Sequence, residues 1–158
     1  MTDDLREHGI SQELVDRLAI NDLLVRYAWA IDTKDWDALD HVFTPDAHID
    51  YTATGGIAGS LAEIKPWLAQ SLAAFPATQH LLSNSQVTID GATATARTAV
   101  YNPMGAATRE GPLHFFFMGG FYADHLVRTA DGWRIIDRVE HFVWMHGKLP
   151  RELYVADG

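Results

Sequence analysis

The first half of the chain carries apolar residues at the three- and four-residue spacing of amphipathic helices. This spacing is clearest over residues 11–32, where the apolar face comprises Leu14, Leu18, Leu23, Leu24, Tyr27, Ala28 and Ile31. The pattern predicts a helix there and a second, shorter helix over residues 35–43. A third helix is predicted over residues 60–75, because Ser60 and Glu63 have the spacing of a capping box.

The second half of the chain has the two-residue alternation of β-strands. A short strand is predicted where Ala47, Ile49 and Tyr51 alternate with polar residues. Long strands are predicted over residues 78–89, 92–101, 113–128 and 133–145, with hairpin turns at Asp90-Gly91 and Asp131-Gly132. Helices followed by an antiparallel meander indicate an α+β fold, and strands of this length curl. We therefore expect a cone-shaped, antiparallel or mixed sheet wrapped around the three N-terminal helices.

Composition narrows the chemistry that such a fold can carry. The chain has no cysteine, which excludes disulfides, thiolate metal sites and a cysteine nucleophile. Its formal charge of −9 argues against a nucleic acid or an anionic membrane surface as a partner. No apolar stretch approaches the roughly 18 residues of a membrane span, and the first residues lack the basic and apolar regions of a signal peptide. We therefore expect a cytoplasmic protein.

The length of 158 residues fits a single domain. We expect that domain over residues 11–146, preceded by an N-terminal extension over residues 1–10. Residues 147–158 are expected to form a C-terminal tail, because Gly147 and Pro150 interrupt any regular element there.

Asp32 is the first candidate for chemistry, because the helical period continues the buried face of the first helix straight into its carboxylate. A desolvated carboxylate is costly unless a partner compensates it. His80, early in the first long strand, is the natural partner, since a histidine beside a buried carboxylate can act as a general base. Other interpretations stay open at this point. Asp32 could be an exposed helix end or a cap for the next helix, and His80 a strand histidine bonded to backbone or water.

Tyr27 and Tyr51 are candidate electrophiles. Tyr27 lies on the inner face of the first helix, and Tyr51 shares a strand face with Ala47 and Ile49. A phenol in a dry pocket can donate a hydrogen bond to a developing enolate oxygen. Each could equally be a core aromatic residue whose hydroxyl group is satisfied within the protein.

The Asp90-Gly91 hairpin indicates which residues face His80. Counting back from a two-residue turn sets His80 opposite Tyr101, and Asn102 then points away. A single bulge would reverse this order, so Tyr101 and Asn102 are both kept as pocket candidates.

The remaining pocket lining is expected to be apolar. It is expected to comprise Trp36, Leu82, Phe116, Met118, Phe142 and Trp144. Asp46, His48 and Asp50 share one strand face, but one strand supplies no closed set of metal ligands and a solvent face explains them better. The sequence also lacks the phosphate- and dinucleotide-binding motifs, so we expect neither a metal nor a cofactor.

Several stretches together resemble one known family. They are Tyr27-Ala-Trp-Ala-Ile-Asp32, Phe43-Thr-Pro45, Ile49-Asp-Tyr51, Gln79-His80 and Asp131-Gly-Trp133. This set resembles the SnoaL-like group of the nuclear transport factor 2-like superfamily, which implies a cystatin-like α+β barrel. Within that group the motifs are most similar to those of scytalone dehydratase and bile-acid 7α-dehydratase.

The resemblance implies a mechanism. Those dehydratases work without a cofactor and use an Asp–His pair as the base, which Asp32 and His80 match. Tyr27 matches an active-site tyrosine of the bile-acid enzyme, and Tyr51 matches one of scytalone dehydratase. The chain departs from the bile-acid enzyme at Asn102, where that enzyme has a catalytic aspartate. An amide cannot exchange a proton as a carboxyl group can, so the resemblance does not carry over the leaving-group step.

These observations predict a cofactor-independent lyase (a dehydratase) or an isomerase that acts on a hydrophobic cyclic, polycyclic or steroid-like carbonyl substrate. The alternative is a non-catalytic small-molecule-binding or subunit-assembly module of the same fold. In either case a homo-oligomer is expected, a trimer or a dimer, since members of this superfamily pack through their sheet faces. No nucleic acid or membrane is expected as a partner.

Overall fold

The computed structural model of the protein describes residues 11–108 and 111–148. In chain order its elements are α1 (Gln12–Asp32), a 3₁₀ helix (Asp37–His41), β1 (Phe43–Asp50), a 3₁₀ helix (Thr52–Thr54), β2 (Ala58–Ser60), α2 (Leu61–Ser71), a 3₁₀ helix (Leu72–Ala74), β3 (Ala77–Thr78), β4 (Leu81–Asp90), β5 (Thr93–Ala106), β6 (His114–Thr129) and β7 (Gly132–His146). The predicted α+β class with a curved mixed sheet is confirmed. The predicted extension over residues 1–10, and the predicted tail beyond residue 148, lie outside the described residues.

α1 begins after Ser11, whose hydroxyl oxygen accepts the backbone N–H of Leu14 at 3.3 Å. Its buried face comprises Asp16, Ile20, Leu23, Leu24, Tyr27, Ala28, Ala30 and Ile31. Leu14 and Leu18, which the sequence pattern places on that face, are instead 48% and 56% exposed. The first two turns of α1 therefore present a different side to the sheet from the one that their leucines indicate.

The second predicted helix is only the 3₁₀ helix Asp37–His41, so the sheet wraps around two α-helices. The reason is that Val42 and Phe43 are drawn into pairing with Ile135 of β7, which starts β1 early. The third predicted helix is α2, and its capping box of Ser60 and Glu63 is present. No helix in the described part of the chain is long and apolar enough to cross a membrane.

The sheet has the strand order β2-β1-β7-β6-β5-β3, and β4 also pairs with β5. β1 runs parallel to β7, and the other pairings are antiparallel. The β6–β7 pairing shifts register between Gly119 and Gly120 and again between His125 and Leu126, and such irregularities bend a sheet. The concave face packs against α1 and α2 around an apolar core.

β3 and β4 lie along the same edge of β5, but the chain leaves the ladder between them at Gln79 and His80. Gln79 still donates its backbone N–H to the carbonyl oxygen of Pro103 at 3.1 Å. The backbone N–H of His80 instead donates to Asp32 at the end of α1. This interruption of the edge is what positions the candidate site.

The β4–β5 hairpin has a register different from the predicted one. Asp90 pairs with Thr93, so the two turn residues are Gly91 and Ala92. Gly91 has a φ of +59°, a left-handed conformation that glycine adopts without steric cost. The turn thus lies one residue further along the chain than predicted.

A bulge in β4 then shifts the pairing back by one residue, between Ser83 and Gln86. Beyond the bulge Leu81 pairs with Tyr101, which brings His80 level with Asn102. The predicted placement of His80 opposite Tyr101 is therefore wrong, because the turn and the bulge together move the register by one position.

Candidate functional site

Asp32, the last residue of α1, contacts His80 at the interruption between β3 and β4. Its Oδ1 lies 2.7 Å from Nδ1 of the His80 ring, and its Oδ2 accepts the backbone N–H of His80 at 2.7 Å. The hydroxyl group of Thr78 donates to Oδ1 at 3.3 Å. Only 15% of the Asp32 side chain and 7% of the His80 side chain are exposed. The carboxylate therefore orients the ring and also satisfies the N–H that left the β-ladder.

The other ring nitrogen of His80, Nε2, lies 3.2 Å from the side-chain amide of Asn102. That amide also lies 3.2 Å from the carbonyl oxygen of Gln79 and 3.3 Å from that of Pro103. Because carbonyl oxygens only accept hydrogen bonds, the amide is satisfied when Nδ2 donates to them and Oδ1 accepts from Nε2. In that orientation His80 donates from both ring nitrogens, which is the hydrogen-bonding pattern of an imidazolium.

Asp32 and His80 line a cleft of about 720 Å³ between α1 and the β3–β4 edge. Much of its wall is apolar and exposed, comprising among others Val25, Trp29, Leu81 and Phe115. A cleft of this size fits the usual volume of small-molecule sites, roughly 300–1,000 Å³. Leu82 is the one predicted apolar lining residue that lies in this cleft.

Tyr27 and Tyr51 lie behind His80, inside the cone, and are not part of the cleft wall. Their hydroxyl groups are hydrogen-bonded to each other at 2.8 Å. The Tyr27 ring meets the His80 ring edge to face, with ring centres 6.4 Å apart. Burial raises the pKa of Tyr27 and raises that of Tyr51 well above its ordinary value. Both phenols therefore stay protonated at neutral pH and can donate hydrogen bonds.

A buried ion pair supports the tyrosines from the sheet. Arg138 donates through Nε and Nη2 to the carboxylate of Asp124, both at 2.7 Å, and neither side chain is exposed. Its guanidinium carbon lies 4.0 Å from the ring centre of Tyr27 and 4.2 Å from that of Tyr122. Breaking a buried pair of this kind is costly, so we assign it to holding the tyrosine rings in place.

Glu140 faces the same interior from β7, where it pairs with Tyr122. Its Oε2 lies 2.6 Å from the hydroxyl oxygen of Thr54. Burial raises the pKa of this carboxyl group, and the hydrogen bond with Thr54 only partly opposes that shift. Within residues 11–108 and 111–148, Glu140 makes no salt bridge.

Two predicted lining residues, Tyr101 and Trp144, lie on the convex face of the sheet. Asn102 faces His80, so its neighbour Tyr101 points to the other side. Tyr101 stacks on Phe117 with ring centres 6.3 Å apart and lies 6.0 Å from Trp144. The observed register therefore removes both residues from the side of the sheet that carries His80, contrary to the prediction.

The other predicted lining residues do not border the cleft. Phe116 is buried, and Met118 pairs with Asn102 on the concave face. Phe142 is 46% exposed near the end of β7. Trp36 packs against the core beside the first 3₁₀ helix.

Four buried charged residues in the described part of the chain escape prediction from the sequence: Asp16 of α1, and Asp124, Arg138 and Glu140 of the sheet. A signal for Asp124 was available, because it alternates with Tyr122 and Leu126, which are both buried. Glu140 gave no such signal. The register shift opposite Leu126 changes which side chains of β7 face the interior. Counting every second residue from the buried Ile135 therefore places Glu140 on the outer face of the sheet, whereas it is buried.

No group of three or more His, Asp or Glu side chains in the described ranges is arranged to hold a metal ion. His48 instead contacts Asp137, with Nδ1 and Oδ1 3.2 Å apart. Asp50 accepts the hydroxyl group of Thr52 at 2.6 Å. These two residues of β1 have protein partners of their own.

Comparison with known sequences gives a match over most of the chain. The sequence model of the SnoaL-like domain matches residues 12–139. The uncharacterized protein Rv2910c of Mycobacterium tuberculosis is 53% identical over 129 residues, which cover 81% of this chain and 86% of that protein.

Solved structures share the fold. A candidate aromatic ring hydroxylase from Novosphingobium aromaticivorans is 32% identical with a TM-score of 0.76, covering 86% of this chain and 95% of that one. A candidate scytalone dehydratase from the same organism is 23% identical, also with a TM-score of 0.76, covering 88% of this chain and 91% of that one. These likenesses confirm the predicted fold.

Proposed function

Because the chain belongs to the SnoaL-like family, we propose that it is a cofactor-independent lyase or isomerase that acts on an apolar cyclic carbonyl compound. The observation that carries this proposal is the 2.7 Å contact between Asp32 and the His80 ring at the wall of a cleft. A histidine that is oriented by a carboxylate and borders a cleft has the geometry of a general base. The apolar side chains around it favour an apolar substrate.

In the proposed reaction, Nε2 of His80 takes a proton from the carbon next to the substrate carbonyl group. The C–H bond breaks, its electron pair moves into an enolate, and Asp32 stabilises the imidazolium that forms. Return of the proton to a different carbon completes an isomerisation. In a dehydration the enolate electron pair forms a carbon–carbon double bond, the bond to the β-hydroxyl group breaks, and that group takes the proton from the His80 imidazolium and leaves as water.

Asn102 controls access to Nε2 in this mechanism. The His80 ring can take a proton only when Nε2 carries a lone pair. In that state the side-chain amide of Asn102 is rotated by 180°, so that its Nδ2 donates a hydrogen bond to Nε2. This rotation of the amide points Oδ1 of Asn102 at the carbonyl oxygens of Gln79 and Pro103, which is unfavourable because all three oxygens are acceptors. Proton transfer at His80 is therefore coupled to the orientation of Asn102.

Tyr27 and Tyr51 would hold the developing oxyanion of a substrate that reaches past His80 into the cone, since neither residue borders the cleft itself. The pair has two hydroxyl protons and uses one of them in the bond between the two residues. The other proton can be donated to an oxyanion placed beside the pair. The contact between the Tyr27 and His80 rings, with ring centres 6.4 Å apart, supports a position for that oxygen on the side of His80 that faces the tyrosines.

A non-catalytic small-molecule-binding or subunit-assembly module is the second candidate. The observation that favours it is that both ring nitrogens of His80 already have partners within the protein. A purely structural network would look the same. Such a module would bind an apolar ligand in the cleft without changing it.

Variants of Asp32 and His80 distinguish the proposed enzyme from the non-catalytic module. We would follow the absorbance of the enone formed from β-hydroxycyclohexanone and from larger hydroxyketones, including steroids. His80→Ala and Asp32→Ala are expected to lower the rate by about a hundred- to ten-thousandfold without unfolding the protein. His125→Ala, a histidine whose side chain is 67% exposed, is the control and should keep the wild-type rate. Near wild-type rates in either dyad variant contradict the mechanism, and ligand binding without turnover favours the module.

A further inference from the structure

The hydroxyl group of Thr78 lies between the two side chains that hold the His80 ring. Its oxygen is 3.3 Å from Oδ1 of Asp32 and 3.4 Å from the side-chain amide of Asn102. Asp32 contacts the ring at Nδ1, and Asn102 contacts it at Nε2. Thr78 also lines the cleft, at the end of the short strand β3. A threonine hydroxyl group has one proton, so it can donate to Asp32 or to Asn102 but not to both.

The orientation of the Asn102 amide decides which of the two acceptors is available. When His80 is an imidazolium, Oδ1 of Asn102 accepts from Nε2 and Nδ2 lies beside Thr78, so the hydroxyl group donates to Asp32. When Nε2 carries a lone pair, Nδ2 of Asn102 donates to it, and Oδ1 lies 3.4 Å from the Thr78 oxygen. Oδ1 then needs a donor, because its other neighbours are two backbone carbonyl oxygens. In the described part of the chain, the Thr78 hydroxyl group is the donor within reach.

We propose that Thr78 is a positioning residue whose hydroxyl group follows the protonation state of His80. The group donates to Asp32 while the ring is an imidazolium, and it rotates to donate to Asn102 when Nε2 has lost its proton. The hydroxyl group keeps its own proton throughout. It thereby stabilises the neutral ring, which is the form that can take a proton from a substrate. This inference rests on the proposed function and makes Thr78 a determinant of the pH range in which the base works.

Removal of the Thr78 hydroxyl group should favour the imidazolium. The neutral state loses the donor to Oδ1 of Asn102, a residue that is only 3% exposed. In the imidazolium state Asp32 loses one donor but keeps two, the ring Nδ1–H and the backbone N–H of His80. A carboxylate with fewer donors also attracts the charged ring more strongly. Both effects move the loss of the Nε2 proton to higher pH.

Other titratable side chains on the elements around His80 point to the interior or to the end of α1. They are Tyr27, Lys34, Arg138 and Glu140. Arg138 is paired with Asp124, but its buried Nη1 has no hydrogen-bond partner in the described part of the chain. The hydrogen bonds described for these four side chains do not involve Thr78. Their charges therefore act alike on the wild type and on a Thr78 variant, and the difference between the two proteins reports on Asp32 and Asn102.

NMR titration of the histidine rings tests the inference without a substrate. Thr78→Val keeps the branched shape and removes the hydroxyl group, and the His80 signal is identified by its loss in His80→Ala. The midpoint of the His80 titration should lie about 0.5–1 pH unit higher in Thr78→Val than in the wild type, the size of one hydrogen bond. Thr78→Ser, which retains a hydroxyl group, should have the wild-type midpoint. Thr88→Val, at an exposed position of β4, is the control and should not move it.

An unchanged or lower midpoint in Thr78→Val overturns the inference. Thr78→Ala makes the same comparison without adding a methyl group beside Asp32, so the test does not depend on how well valine fits. A Thr78→Ser midpoint as high as that of Thr78→Val also overturns the inference, because the effect then comes from packing and not from the hydroxyl group.

Exchange of the α-protons of β-hydroxycyclohexanone in D₂O, followed by NMR as a function of pH, tests the role of Thr78 in the reaction. Thr78→Val should exchange about three- to tenfold more slowly than the wild type on the acidic side of the profile. The two rates should meet at high pH, where both rings are neutral. A loss by the same factor at every pH overturns the inference. A wild-type protein that exchanges no proton contradicts the proposed function, and the NMR titration still decides the role of Thr78.

Discussion

The carboxylate of Asp32 holds His80 at two points, the ring Nδ1 and the backbone N–H, each at 2.7 Å. The second contact exists because the chain leaves the β-ladder between β3 and β4, which frees that N–H. One side chain therefore fixes both the backbone and the ring of His80. This arrangement joins the end of α1 to the edge of the sheet at the point where the cleft opens.

Asn102→Asp should destabilise the protein by about 1–3 kcal/mol at neutral pH, because an ionised carboxylate has no donor for the carbonyl oxygens of Gln79 and Pro103. Urea unfolding of the wild type and the variant measures this cost. Asn21→Asp, at an exposed position of α1, is the matched control and should change stability by less than about 0.5 kcal/mol. An Asn102 variant as stable as the wild type would mean that the charge of His80 compensates the new carboxylate.

The contrast between Asp32 and Asn102 shows what the sequence could and could not predict. The helical period places Asp32 on the inner side of α1, which made a contact with His80 one of the interpretations that the sequence offered, beside an exposed helix end or a cap. The partner of Nε2 was not predictable, because it depends on the position of a turn and on a bulge. Both are decided by local backbone conformation, with φ of +59° at Gly91 and +51° at Asn84. A shift of one residue in register exchanges the two faces of a strand.

Asp16 joins α1 to the β6–β7 hairpin, so its substitution should give a pH-dependent loss of stability. Its carboxylate accepts two hydrogen bonds from Arg128 and one from Nε1 of Trp133 at 3.1 Å. The hydrogen bonds from Arg128 lower the pKa of Asp16 below its ordinary value of 3.8, although burial opposes them. A carboxyl group with a lowered folded-state pKa stabilises the protein above its unfolded-state pKa, and that contribution is lost as pH falls through the folded-state pKa.

Asp16→Asn should therefore cost about 1–3 kcal/mol at neutral pH and progressively less below about pH 4. Urea unfolding of both proteins across this pH range measures the difference. Asp22→Asn, at an exposed position of the same helix, controls for the loss of a helical carboxylate and should show no such trend. A cost for Asp16→Asn that does not change with pH would show that the charge of Asp16 contributes nothing.

Tyr27→Phe and Tyr51→Phe should each cost about 1–3 kcal/mol, since each leaves the other buried hydroxyl group without its partner. The double variant should cost less than the sum, because it removes both groups. Thermal or urea unfolding of the wild type and the three variants gives the double-mutant cycle, with Tyr101→Phe, at a tyrosine that is 40% exposed, as the control. Strict additivity would contradict the coupling of the two hydroxyl groups.

The aromatic residues of the long strands could be counted from the sequence but not assigned to a face. Tyr101 was a pocket candidate because the predicted register set it opposite His80, and Trp144 because it lies in an apolar strand. Both instead belong to an exposed cluster on the convex face. Apolar patches of this kind are typical of interaction surfaces. We therefore propose that a second copy of the chain packs on this face, which agrees with the expected homo-oligomer.

Trp144→Glu should convert a dimer or trimer of the wild type into a monomer, because it places a charge in the middle of that contact. Analytical ultracentrifugation of both proteins measures the change. Trp29→Glu, at an aromatic residue of α1 that is 65% exposed, is the control and should leave the assembly intact. A monomeric wild type, or a Trp144→Glu protein of unchanged mass, contradicts assembly through this face.

The central claim is that His80 removes a carbon-bound proton and that Asp32 makes it able to do so. The most direct test is the rate at which the α-protons of β-hydroxycyclohexanone exchange with D₂O, measured by NMR for the wild type, His80→Ala and Asp32→Asn. We predict exchange well above the buffer rate for the wild type and a loss of about a hundredfold or more in each variant. Equal exchange rates in all three proteins would contradict the account.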